Sequence, residues 1–226
     1  MRKLTNEGSL VIAGLVGVAA LLAIFVVAVW PGTAAQESSP MLTAPAMKPD
    51  LSLKLAMRLL WEDHLVYTRN YIISALAKLP DASAVAGRLL RNQDDIGDAV
   101  KPYYGDAAGT KLASLLRDHI LIATEVVKAA MGGTADELAK AQAKWTANAD
   151  EIAAFLSAAN PQWPKPKVAD MLHKHLAYTT NEVVGRLKAD WPGDIAAYDQ
   201  GHRHMLMFAD MLADGLIAQF PDRFKK

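Results

Sequence analysis

From residue 50 onward, apolar side chains recur every three to four positions, the spacing that places them along one face of an α-helix. The last such stretch, residues 193–220, shows the pattern most fully, with Ile195, Tyr198, Met205, Phe208, Ala209 and Leu212 on one side. Five more segments precede it. Asp50 is read as the cap of a first helix to about Lys78, and Leu79-Pro80-Asp81 ends it and opens a shorter one over residues 82–100. A third helix runs over 106–131 and stops at Gly132-Gly133. Thr134 and Glu137 have the spacing of a capping box for a fourth, which lasts to Ala159, and a fifth follows the Pro-rich turn over 165–189. Nothing alternates with period two, so no sheet is expected. The connections are short, which makes sequence neighbours antiparallel neighbours. The predicted fold is an all-α up-and-down bundle of five long helices and one shorter one.

The N-terminus follows a different pattern. Residues 9–30 form one unbroken apolar run, and about 20 residues suffice to cross a bilayer. Arg2 and Lys3 precede this run and no basic cluster follows it, so residues 1–8 are assigned to the cytoplasm and the C-terminal domain to the outer face of the cytoplasmic membrane. A cleavable leader is the alternative, with Thr33 and Ala35 at a tolerable site. The run nonetheless exceeds the ~7 to 15 apolar residues of a usual leader. Residues 31–49 are rich in Pro, Ala and Ser without periodicity and read as a flexible linker to a domain at 50–226.

Composition narrows the functional classes. Twenty-four basic and twenty-four acidic residues cancel, which leaves no electrostatic footprint for nucleic acid. Cysteine is absent, which removes disulfides, thiolate ligands and a cysteine nucleophile. No Gly-rich phosphate loop, nucleophile elbow or covalent haem motif occurs. The expected partner is the membrane, reached through the N-terminal helix, and no protein partner can be read from the chain.

Candidate chemistry lies in the histidines. His64, His119, His175 and His204 each fall on the apolar stripe of a different helix and near its middle. In an antiparallel bundle, mid-helix positions stay at mid-height, and boundary errors of two or three residues shift a side chain by only ~3 to 5 Å. The four imidazoles are therefore expected in one layer. Asn148, central on the Ala141, Trp145, Ile152, Phe155 face, is a candidate fifth contact, and Thr68 and Thr179, one turn beyond His64 and His175, are candidate orienting groups. His173 and His202 should point elsewhere. A lone histidine on an apolar stripe is usually a hydrogen-bonded core residue, but four at one height carry four desolvation costs that a single cation offsets together.

Ligand type then selects the metal. The inward Glu and Glu-x-x-His pairs of a di-iron bundle are missing. An imidazole cage without thiolate suits copper or zinc, with iron a further candidate, and Met205, Met207 and Met211 near His204 lean toward copper. A haem held by two of the histidines fits less well. Glu62, Asp63 and Arg69 around His64 read as a solvated helix face.

The stretches WEDHLVYTR at 61–69, LLRDHILIA at 115–123, WTANADEIAAFL at 145–156, MLHKHL at 171–176 and HMLMFADM at 204–211 resemble an uncharacterised group of small bacterial helical-bundle proteins. The resemblance covers residues 55–221 and implies a helical domain, with no activity attached. The expectation is a membrane-tethered bundle that holds a transition metal in its histidine layer for sequestration or sensing. Two other readings stay open: a metal-dependent oxidoreductase, and a sensor or interaction bundle whose polar layer sets helix register without metal.

Overall fold

The computed structural model describes residues 47–225, which form a single helical unit. The span expected at 9–30 and most of the linker lie outside the described residues. Among the described residues no helix is long and apolar enough to cross a membrane. Six α-helices follow one another: α1 Pro49–Leu76, α2 Ala82–Tyr104, α3 Asp106–Gly132, α4 Ala135–Ala159, α5 Lys165–Leu187 and α6 Trp191–Gln219, with a short 3₁₀ turn at Pro221–Arg223. The all-α antiparallel bundle expected from the periodicity is the fold observed.

The boundaries differ where tertiary contacts outweigh local signals. The second helix is not short. It continues past Val100 and through Pro102 to Tyr104, because a proline in the last turn forfeits one hydrogen bond while the residues beyond it are held by packing. Tyr103 lies against Phe220 and Phe224, and Tyr104 against Trp163 and Phe220. Asp50 does not cap α1. Pro49 already occupies the first turn, and Asp50 beside it favours the helix through its charge at the positive end of the dipole. The Thr134–Glu137 capping box forms as read, with Glu137 N donating to Thr134 Oγ1 and Thr134 N donating to Glu137 Oε2. For α6 the cap is Asp190, whose carboxylate accepts from Gly193 N.

Each helix packs on its sequence neighbours, and α6 returns to α1, so the six close into a ring. The α6–α1 seam shows the antiparallel register through Lys54–Asp214, Arg58–Asp210 and Arg69–Asp194, in which rising numbers on one helix meet falling numbers on the other. The odd helices α1, α3 and α5 consequently run the same way, and they also meet one another across the axis. Their inward residues stack in layers one turn apart. Trp61, Leu116 and Leu172 belong to the larger apolar core, and Ile72, Val127 and Val183 form a separate smaller one. Along the axis two layers separate Trp61, Leu116 and Leu172 from Ile72, Val127 and Val183: His64, His119 and His175, then Thr68, Ala123 and Thr179.

The α2–α3 crossing is close because two glycines face each other. A Cβ on Gly97 would lie 2.6 Å from Gly109 O and 2.7 Å from the Ala113 Cβ. Backbone cannot yield as a flexible side chain can, so Gly97→Ala is expected to destabilise the domain by about 1–3 kcal/mol. Gly87, on the same helix, has open space around it, and Gly87→Ala should stabilise by about 0.5–1 kcal/mol through helix propensity. Urea unfolding of the two variants checks the pair, and stabilisation by both would show that the crossing leaves room for a Cβ at Gly97.

Candidate functional site

Three of the four expected histidines converge. The ring centres of His64 and His175 are 5.5 Å apart, those of His119 and His175 6.0 Å, and those of His64 and His119 6.5 Å. The rings come from α1, α3 and α5, whose inward faces meet on the axis, and they are only 2–3% exposed. His204 does not join them. It sits on α6, in the outer ring of contacts between α5 and α6, where its Nε2 donates to Met171 O at 2.8 Å and its ring lies 5.5 Å from Tyr178. Equal height was correctly inferred for it, but its azimuth was not: α6 touches the axis through Phe208 and Leu212 instead. His173 and His202 point elsewhere as expected, toward Asp150 and Glu62.

The hydrogen bonds fix two of the three tautomers. His119 Nε2 accepts from Trp145 Nε1 at 3.1 Å, and an indole N–H can only donate, so the proton of His119 is on Nδ1 and is donated to Asn148 Oδ1 at 2.8 Å. Asn148 Nδ2 in turn donates to Leu115 O. Asn148 is therefore not a fifth inward contact. Both ends of its amide are engaged, and it acts by orienting His119. His64 Nδ1 faces Gln93 Oε1 at 3.3 Å, and because Gln93 Nε2 donates to Leu89 O and to Asn92, the imidazole supplies the proton. Thr68 donates to His64 O, a backbone bond that leaves the ring unaffected. Among the described residues, His175 Nδ1 and Trp61 Nε1 are buried with no partner.

All three rings are held neutral. Burial pushes the His64 imidazolium down to about 3, with His119 adding to the effect and Gln93 opposing it. Burial pushes His119 down to about 4 against the pull of Asn148. His175 is lowered well below its ordinary value by burial and then by His64, His119 and His204. Neutral imidazole is the form that presents a lone pair to a metal.

Gln93, Asn92 and Trp145 were missed as parts of this layer. The signal for the first two was present: Asn92 and Gln93 occupy the inward stripe of α2 between Leu89 and Ile96, and both are fully buried. Arg69, read as a surface charge, is instead half-enclosed with Glu182 and Asp194 at the α1–α5–α6 junction. Arg69 Nη2 donates to Asp194 Oδ2 at 2.9 Å, Arg186 Nη1 donates to the same oxygen at 2.9 Å, and Glu182 Oε1 lies 2.9 Å from Arg69 Nη1. Burial raises the Glu182 carboxyl to about 7.

Three imidazoles bound to one ion through nitrogen at about 2.0–2.1 Å have ring centres about 5–6 Å apart, which the observed spacings approach. As placed, however, the rings are not arranged around a cation: among the described residues no group of three or more His, Asp or Glu side chains has that geometry. No family model, curated protein or solved structure matches the chain.

Proposed function

We propose that the chain is a membrane-tethered helical bundle that binds one transition-metal ion, copper or zinc by ligand type, between His64, His119 and His175, for sequestration or sensing at the outer face of the cytoplasmic membrane. The membrane part of the reading rests on the apolar run at 9–30. The observation that carries the metal part is the meeting of three buried, neutral imidazoles, one of which has a nitrogen without a partner among the described residues. A buried polar atom without a partner costs about 1–3 kcal/mol, and a shared cation removes that cost. His64 and His175 supply uncommitted nitrogens. His119 supplies its Nε2 only when Trp145 releases it, so metal binding must alter the surroundings of that indole. The burial of the rings, 2–3% exposed, favours holding an ion over turning over a substrate.

One observation favours a second reading. The Asn148–His119–Trp145 chain satisfies both nitrogens of His119, as expected of a polar layer that fixes helix register without metal. Thermal melts and tryptophan fluorescence of the full-length protein in chelator, Cu²⁺ and Zn²⁺ separate the two. The metal reading expects a rise in Tm with one cation, equivalent to about 2.7 kcal/mol when the free ion is at a hundred times its Kd. It also expects a change in emission from Trp145, and loss of both effects in His175→Leu. The register reading expects no metal-induced rise, and it expects His175→Leu to be tolerated equally in every condition because no hydrogen bond at Nδ1 is removed. That second outcome would overturn the proposal.

A further inference from the structure

Directly beyond the histidines, the bundle axis is not filled. A cavity of about 30 Å³ lies among α1 to α5, with an almost wholly apolar lining that includes Thr68, Ile72, Ala123, Val127, Trp145 and Thr179. Its position follows from register. Thr68, Ala123 and Thr179 each stand four residues after His64, His119 and His175, so the three parallel inner helices bring small side chains to the cavity at the same level. One turn further, Ile72, Val127 and Val183 close the axis again with a core cluster of their own. The Thr68 hydroxyl is bonded back to His64 O at 2.7 Å, which turns it away from the role of a free polar group in the space.

The void is not a necessity of the backbone, since one methyl-bearing replacement at any of these three positions would narrow it. Empty volume costs stability in proportion to its size, so leaving about 30 Å³ open costs little while keeping a chamber one turn beyond the histidine layer. Its size exceeds what a single water requires, but a lining with hardly any polar surface offers water too few of the two to four partners it needs.

We infer that this chamber is a binding site for a small apolar molecule of diatomic size, of the class of dioxygen or nitric oxide, held one helical turn beyond the histidine layer. The inference is independent of the metal reading, because the chamber is formed by packing alone. Dioxygen itself is the probe. In metal-free full-length protein with ¹³C-labelled methyl groups, replacing dissolved nitrogen by oxygen is expected to enhance the relaxation of the buried Ile72, Val127 and Val183 methyls several-fold. The reference is equally buried methyls elsewhere, such as Leu116, Val168 and Leu216. Ala123→Val should abolish the excess while keeping the helical spectrum. If that variant fails to fold, Thr68→Ile narrows the same space from a different helix. Equal relaxation of lining and reference methyls, or an excess that survives in a folded filled variant, would overturn the inference. The metal titration reads the histidines separately, so either conclusion can fail alone.

Discussion

Acidification in the presence of chelator is expected to destabilise the domain strongly between about pH 6.5 and 4.5, before ordinary carboxylates titrate. His64, His119 and His175 have folded pKa values of about 3, about 4 and well below 6.5, against 6.5 for the unfolded chain. A histidine with a lowered folded value binds its proton in the unfolded state first. Its contribution is therefore complete above about pH 6.5 and is lost progressively as the pH falls toward the folded value. Glu182 acts in the opposite sense: its folded value of about 7 lies above 4.5, so between those limits the folded state holds one proton more. Three histidines against one glutamate leave a net uptake of about two protons on unfolding, or about 2–3 kcal/mol lost per pH unit between about pH 6.5 and 4.5. Across that window the loss is about 4–6 kcal/mol, a large share of the about 5–15 kcal/mol of an ordinary domain. Urea unfolding at a series of pH values measures the slope directly. A stability that stays flat from pH 6.5 to 5 would mean that the three rings are protonated in the native state, and the neutral-layer account of the site would fail.

Much of this site is legible in the sequence because the inner residues obey helical spacing, and the reason it is only partly legible is geometric. Helical periodicity assigns a residue to the buried face, and position along the helix gives its height. Neither says which of two neighbouring seams that face enters. His64, His119 and His175 belong to alternate helices of a closed ring, all three of which reach the axis, whereas His204 belongs to a helix whose buried face is shared between α1 and α5. The same ambiguity hid the polar partners. Asn92 and Gln93 look like a break in the apolar stripe of α2 until the neighbouring histidine is known, and Trp145 looks like a core aromatic until its N–H is seen to meet His119. Pro102 misled in another way, because a local breaker in a last turn is overruled by aromatic packing that involves residues more than a hundred positions away.

Asp194→Ala is expected to be the most damaging single replacement outside the histidine layer. Its side chain is 2% exposed and receives hydrogen bonds from both Arg69 and Arg186, which are themselves only 15% and 19% exposed. Removing it leaves two guanidinium groups in a poorly solvated junction with Glu182 as the remaining carboxylate. Deleting one partner of a buried ion pair typically costs about 3–5 kcal/mol, since the charge left behind keeps its desolvation cost without its attraction. The exposed Arg58–Asp210 pair provides the comparison. It is also bidentate, at 2.7 and 2.6 Å, but Arg58 is 47% exposed, and Arg58→Ala should cost far less than Asp194→Ala because solvent screens the pair. A second consequence follows from the charges. Burial is the first cause of the raised Glu182 value and Asp194 adds to it by repulsion, so in Asp194→Ala the Glu182 carboxyl should titrate lower, with Arg69 as its main neighbour. Urea unfolding gives the first quantity and carboxyl ¹³C titration the second. If Asp194→Ala and Arg58→Ala cost the same and Glu182 does not move, the junction is hydrated well enough that its ion pairs behave as surface pairs, and it does not clamp α1, α5 and α6 together.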